Sequence, residues 1–244
     1  MKYFLTSSPS VSMDGAINPA NGFLDNLRSA LGSRPLNAVF VTTYPDDAPW
    51  SEHCSVCMCQ AFEEVGFCFE SYELLDRRTA PRVEELLQRC DFLILGGGHV
   101  PSQNAFIHEL DLPRLIKHFD GVVLGISAGS MNCARIVYAQ PEEPGEAVDA
   151  NYSRFLPGLG LTEVQILPHY HLCKDLSVDG FKVYDDIAMP DSRQQWHRFY
   201  VFPDGTYLLG ADGEETIYGE FLLIENGVMR RVAGDGQQMR LPFV

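Results

Sequence analysis

The sequence has 244 residues, 45 % of them hydrophobic and 21 % charged, with a formal net charge of −15. A chain of that length buries a substantial core without disulfide or metal staples. Its acidic field argues against nucleic acid and anionic membranes as partners, because both need clustered Lys and Arg to displace counterions. No stretch approaches the roughly 18 consecutive apolar residues of a membrane span, and the apolar run at Tyr3–Leu5 is too short for a secretory signal. The seven cysteines form an odd set, and Cys68, Cys90 and Cys133 sit in apolar segments. Buried thiols in a reducing compartment, the cytoplasm, are therefore expected.

In chain order, Tyr3–Thr6 reads as a first short strand. Apolar spacing at Phe23, Leu24, Leu27 and Leu31 predicts a helix over Gly22–Leu31, closed by Gly32. Ala38–Val41 is a buried strand, Pro49–Val65 a helix, and Gly66–Phe69 the next strand, with Phe67, Phe69 and Tyr72 expected in the core. Thr79 as cap, Pro81 in the first turn and Glu84-Glu85 near the N-terminus predict a helix over Thr79–Cys90. Asp91–Leu95 is an apolar strand running into Gly96-Gly97-Gly98, followed by helices at Ser102–Leu110 and Pro113–Phe119 and the strand Val122–Leu124. The residues Gln140–Gly160 read as loop, Glu163–Leu167 as strand and Asp179–Met189 as helix. From Arg198 to Val244, short antiparallel strands turn at Asp204-Gly205, Asp212-Gly213 and Asn226-Gly227. Trp196, Phe199 and Tyr200 are expected in the core or along a pocket. Continuous apolar strands separated by helices indicate an α/β fold, a mostly parallel sheet with helices on both faces and short antiparallel strands near the C-terminus. One domain over 1–244 is expected.

The segment Val122-Val123-Leu124-Gly125-Ile126-Ser127-Ala128-Gly129 carries the sharpest chemical signal. A buried strand enters a tight turn and a helix starts at once, with helical spacing through Met131, Ile136 and Val137. Glycines flanking Ser127 permit a strained turn and leave room for a substrate, so Ser127 is the expected nucleophile. The Ala128 N–H points to the same place and suits an oxyanion. Gly96-Gly97-Gly98 ends a neighbouring strand, where open α/β sheets bind ligands, and offers further N–H donors. No G-x-G-x-x-G or Walker lysine accompanies it, so a nucleotide site is a poor reading.

A serine nucleophile needs a histidine oriented by a carboxylate. His169 follows a strand and Pro168, with His171 and His99 as rivals, while His108 and His118 lie in polar helix contexts. Asp204 on its turn is the candidate carboxylate, with Glu142 and Glu143 as rivals. The order Ser, His, Asp differs from that of the α/β-hydrolases, which place the acid before the histidine. His53-Cys54-x-x-Cys57-x-Cys59 invites a metal reading, but it falls in a helix where Cys59 points away from Cys54 and Cys57. No metal site is expected.

Together, Leu95-Gly96-Gly97-Gly98, Gly125–Ser130, Pro168-His169-Tyr170 and Pro203-Asp204-Gly205 resemble the dipeptidase E (aspartyl dipeptidase) family of serine peptidases. That resemblance implies a class I glutamine amidotransferase-like, flavodoxin-like fold with Ser127 as nucleophile and His169 as base. It also implies an oxyanion hole at Gly97 and Ala128 and no metal or organic cofactor. Gly98 and His99 would contact a small peptide substrate. Two departures stand out: the family's acid is a Glu in a Pro-Glu-Gly turn where this chain has Asp204, and His99 follows the glycines where the family tends to carry Asn. An N-terminal Asp on the substrate would need a cation, for which Arg135, Lys174, Arg193 and Arg198 are the candidates. A cyanophycinase-like or esterase-type serine hydrolase, and an amidotransferase-like binding protein without catalysis, are the alternative readings. Monomer and homodimer are both compatible with the sequence.

Overall fold

The structure, a computed structural model, describes residues 1–9, 16–194 and 197–242. Trp196 lies outside them, as do the last two residues of the expected C-terminal strands. The first half of the chain builds the strands β1 (Lys2–Thr6), β2 (Leu36–Val41), β3 (Phe69–Leu75), β4 (Phe92–Leu95) and β5 (Val122–Ile126). Between them run helices α1 (Phe23–Leu31), α2 (Ala48–Glu64), α3 (Val83–Arg89), α4 (Val100–Glu109) and α5 (Leu112–Leu115). The five strands pair in parallel in the order β1-β5-β4-β2-β3.

Alternation along the strands makes both faces apolar. Phe4, Phe40 and Ile94 share one buried layer with Phe23 and Leu27 of α1 and Phe62 of α2. Their neighbours Leu5, Val41 and Leu95 share the other with Leu86 of α3 and Phe106 and Ile107 of α4. A sheet covered on both faces needs such unbroken hydrophobic strands.

After β5 come α6 (Ala128–Asn132), β6 (Ile136–Tyr138), β7 (Phe155–Pro157), β8 (Gln165–Leu167), α7 (Tyr170–Cys173), β9 (Ser177–Val178) and β10 (Phe181–Lys182). A π-helical turn at Val183–Ala188 leads into α8 (Met189–Asp191). The chain ends with β11 (Arg198–Val201), β12 (Tyr207–Ala211), β13 (Glu214–Tyr218), β14 (Phe221–Glu225), β15 (Val228–Ala233) and β16 (Gln238–Arg240). Strands β12, β13 and β16 extend the main sheet antiparallel beyond β1. A second sheet, β15-β14-β11-β8, keeps one parallel pair, β8 with β11. Met131 and Ala128 of α6 pack with Leu167, Phe199 and Val201 of this second sheet. The helix that follows Ser127 is thus the wedge between the two sheets.

Several elements depart from expectation, each for a local reason. The third strand begins at Phe69 and leaves Cys68 exposed, whereas Cys90 and Cys133 are buried. The hydroxyl of Thr79 does not cap its helix but donates to the Leu74 carbonyl, and a short 3-10 turn at Ala80–Arg82 precedes α3. The helix after Ser127 stops at Asn132, because Ile136-Val137-Tyr138 is a β-branched and aromatic run that pairs with β7, inside the segment expected to be loop. Asp179-Gly180 forms the β9–β10 turn with positive φ at both residues, which delays the expected helix to Val183. The turns at Asp212-Gly213 and Asn226-Gly227 have positive φ at both positions, as two-residue hairpins require. Asp204-Gly205 instead carries the chain from β11 in the second sheet to β12 in the first. Phe199 is buried in the core and Tyr200 partly so. Among the described residues, no helix is long and apolar enough to cross a membrane.

Candidate active site

Parallel pairing sets the site before any side chain is considered. In the main sheet, Thr6 of β1 stands opposite Ile126 of β5, so Ser7 and Ser127 leave the same sheet edge side by side. In the second sheet, Leu167 of β8 stands opposite Val201 of β11, so His169 and Asp204 leave a matching edge together.

Ser127 adopts φ 50° and ψ −111°, an unfavourable region for a residue with a Cβ. Bonds to β1 hold it there: its N–H donates to the Thr6 carbonyl at 3.1 Å, and the Ser130 hydroxyl reaches the same oxygen at 2.8 Å. Gly129 lets α6 lie against β4, since a Cβ there would meet the Leu95 carbonyl oxygen at 2.2 Å. Beside it, the glycine run is pinned from below. Thr43 Oγ1 donates to the Gly97 carbonyl at 2.6 Å, and Gln103 Nε2 donates to that of Gly96 at 2.8 Å. Gly98, at φ +139°, has no room for a Cβ, which would lie 2.7 Å from Thr43 Cγ2. A Cβ at Gly97 would stand 3.5 Å from Ser127 Cβ, so the Gly97 backbone adjoins the serine. Ala128 opens α6, and its N–H is one of the first-turn donors that a helix leaves without an internal acceptor.

Of the three candidate histidines, His169 is the one in contact with Ser127, its Nε2 lying 2.9 Å from Ser127 Oγ. Its Nδ1 lies 2.8 Å from Asp204 Oδ1, which leaves Glu142 and Glu143 outside the chain of contacts. Burial pushes the Asp204 carboxyl upward. The hydrogen bonds of His169 and Ser7, with the charges of His169 and His171, outweigh that push and hold it below its ordinary value. His171 is exposed on α7, and His99 uses both ring nitrogens, on Ser102 and Glu146 at 2.7 Å each. His99 lines the cleft but has no ring nitrogen left over for a substrate.

Two clefts meet at Ser127, sharing Tyr44, Gly98 and His169 as walls. One, of about 480 Å³, is lined by Met131, Leu176, Val178 and Tyr184 and edged by Glu142 and Glu143. Enclosure of its carboxyl end, then the charges of Glu146 and Glu143, raise the pKa of Glu142, although the residue as a whole stays exposed. The other, of about 460 Å³, is lined by Phe40, Trp50, Met58 and Leu172 and reaches Asp204. Neither contains Lys or Arg among the described residues, and no residue outside the description is Lys or Arg. All four expected cations are exposed. Arg135 pairs with Glu163, Arg198 pairs with Glu225, and Arg193 lies against Gly227. Among the described residues, His99, Glu143 and Glu146 bring possible metal-ligating atoms within 4.8 Å of one another. Both oxygens of Glu146 are already engaged, one by His99 and the other by the N–H groups of Glu142 and Glu143.

The residue that sequence reasoning missed is Ser7. Its hydroxyl donates to Asp204 Oδ1 at 2.7 Å and accepts the His169 N–H at 2.8 Å. A serine one position past a strand carries no signal that distinguishes it from any turn serine, so only the tertiary contact reveals it.

A hydroxyl, an imidazole and a carboxylate in this order, at the carboxyl ends of α/β strands, make up the constellation of a serine hydrolase. The sequence model of peptidase family S51 matches residues 4–218, and the chain belongs to that family. It is thus a serine peptidase of the peptidase E type. Its fold is similar to that of a peptidase from an acI-B1 Actinobacterium, with a TM-score of 0.70 and 15 % identity over 98 % of this chain and 96 % of the other. It is also similar to a candidate peptidase E protein from Listeria monocytogenes EGD-e, with a TM-score of 0.59 and 16 % identity over 95 % and 98 %. No curated protein matches the sequence significantly.

Proposed function

We propose that the chain hydrolyses short peptides through an acyl-enzyme on Ser127. The observation that carries this reading is the unbroken contact chain from Ser127 Oγ to His169 Nε2 at 2.9 Å and from His169 Nδ1 to Asp204 Oδ1 at 2.8 Å. His169 takes the hydroxyl proton as Ser127 attacks the peptide carbonyl, and Asp204 holds the imidazole in the tautomer that can accept it. The oxyanion forms beside the N–H groups of Gly97 and Ala128. His169 then returns its proton to the leaving amine, and water repeats the cycle on the ester.

The clefts favour a neutral residue over Asp at the substrate's N-terminus. An acidic side chain would enter a pocket with no cation and, on one side, with Glu142 and Glu143 at its edge. Such a charge would lose part of its hydration there and gain no ion pair in return. Hydrolysis of Leu-Leu, Ala-Phe and Asp-Leu by the wild type and by Ser127→Ala tests both statements. Cleavage of the neutral dipeptides by the wild type alone is expected. Equal rates in the two proteins would refute the role of Ser127, and preferred cleavage of Asp-Leu would refute the specificity.

A further inference from the structure

We propose that Ser7 is the positioning residue that locks the two halves of the reactive constellation together; the inference rests on the role given to Ser127, His169 and Asp204. The constellation is divided between sheets. Ser127 leaves the main sheet after β5, whereas His169 and Asp204 leave the second sheet after β8 and β11. Ser7 leaves the main sheet after β1, beside Ser127, and reaches across to both residues of the other half.

The chemistry of the hydroxyl fixes the direction of each bond. The His169 backbone N–H can only donate, so Ser7 Oγ accepts it at 2.8 Å. The single hydroxyl hydrogen is then free for Asp204 Oδ1 at 2.7 Å, the same oxygen that faces His169 Nδ1. One atom thereby orients the backbone of the base and the carboxylate that steers its ring. Ser7 is 0 % exposed, so water cannot take over either bond. Its own N–H donates to the Thr206 carbonyl at 3.2 Å, which ties it to the segment that carries Asp204.

Both partners need the help. His169 sits at φ 58° and ψ 38°, a left-handed conformation that a β-substituted residue keeps only when its surroundings hold it. The Asp204 side chain is 38 % exposed and would otherwise be free to turn toward solvent. With Ser7 in place, His169 Nε2 is delivered to Ser127 Oγ; without its hydroxyl, the bond to Ser127 is the one that remains, among the described residues, between the side chains of His169 or Asp204 and the strand ends of the main sheet.

The test uses an alkyl fluorophosphonate, which labels an activated serine whatever the peptide preference. Labelling kinetics of the wild type, Ser7→Ala and Ser7→Cys are resolved into probe affinity and a first-order inactivation constant. Cysteine nearly keeps the shape of serine but is a weak donor, so it preserves the fold if the small cavity left by alanine does not. Both variants should lower the inactivation constant about ten- to hundredfold and leave probe affinity within about twofold. The low-field proton resonance between His169 Nδ1 and Asp204 should also shift. Wild-type inactivation constants in a folded Ser7→Ala or Ser7→Cys, or a loss confined to probe affinity, would overturn the proposal. Labelling of Ser127→Ala at the wild-type rate would instead overturn the role of Ser127 itself.

Discussion

The two sheets hold their parts of the site in different ways. Around Ser127, the supporting polar groups are sealed: Thr6, Gln103, Ser130 and Asn132 are 0–1 % exposed. Asn132 Nδ2 donates to Gln103 Oε1 at 3.1 Å and Gln103 in turn to the Gly96 carbonyl, a closed network under the glycine run. Across the cleft, the side chains of His169 and Asp204 are 28 % and 38 % exposed and stand on a sheet of four strands. Packing fixes the first half, so damage to the groups that support Ser127 appears as lost stability. A few hydrogen bonds fix the second, so damage there appears mainly as lost rate.

Replacing Ser127 by Ala removes the proposed nucleophile from the sealed half without adding volume. Steady-state hydrolysis of a cleaved peptide should fall by about 10⁶-fold, with unfolding little changed. Asp204→Asn should lower kcat by about 10⁴-fold, because the amide favours the wrong imidazole tautomer. This change also bears on acid stability. The folded pKa of Asp204 lies below its ordinary 3.8, so its ionised form stabilises the fold above that value and the contribution is lost as pH falls through the lower folded value. Unfolding measured from neutral to acid pH should therefore show a shallower decline for Asp204→Asn than for the wild type.

Gly129→Ala probes the packed half. Its Cβ would meet backbone, the Leu95 carbonyl oxygen at 2.2 Å, so α6 must move and denaturant unfolding should report a loss of about 1–3 kcal/mol. A loss of rate with unchanged stability would break the distinction between the halves. The smallest effect is expected from Arg135→Ala, which removes an exposed pair with Glu163. Stability should stay within about 0.5 kcal/mol, and rates on neutral and acidic dipeptides should be unchanged.

What was legible in the sequence follows the same division. Ser127 is announced locally, by a strand, a turn and a helix start within a few residues, and Gly97 and Gly98 by the strand that ends in them. The parallel core and its helices are likewise written in continuous apolar runs such as Phe92–Leu95. The region beside the second sheet is less legible, because β6 and β7, a separate two-stranded sheet, are three residues each and pair across a long connection. His169 shows only as a histidine at a strand end, and Asp204 only as one of several Asp-Gly turns. Ser7 meets partners 162 and 197 residues away, a distance at which no local pattern carries information. The lack of a cation in the clefts was equally hidden, since Arg135 and Arg198 are paired off on the surface only once the fold is formed.

The most direct measurement is the site of fluorophosphonate attachment, found by peptide mapping of the labelled wild type and of His169→Ala. A single adduct on Ser127, formed in the wild type and suppressed in His169→Ala, is the predicted result. Peptide hydrolysis that persists while Ser127 remains unlabelled would contradict an acyl-enzyme on that residue.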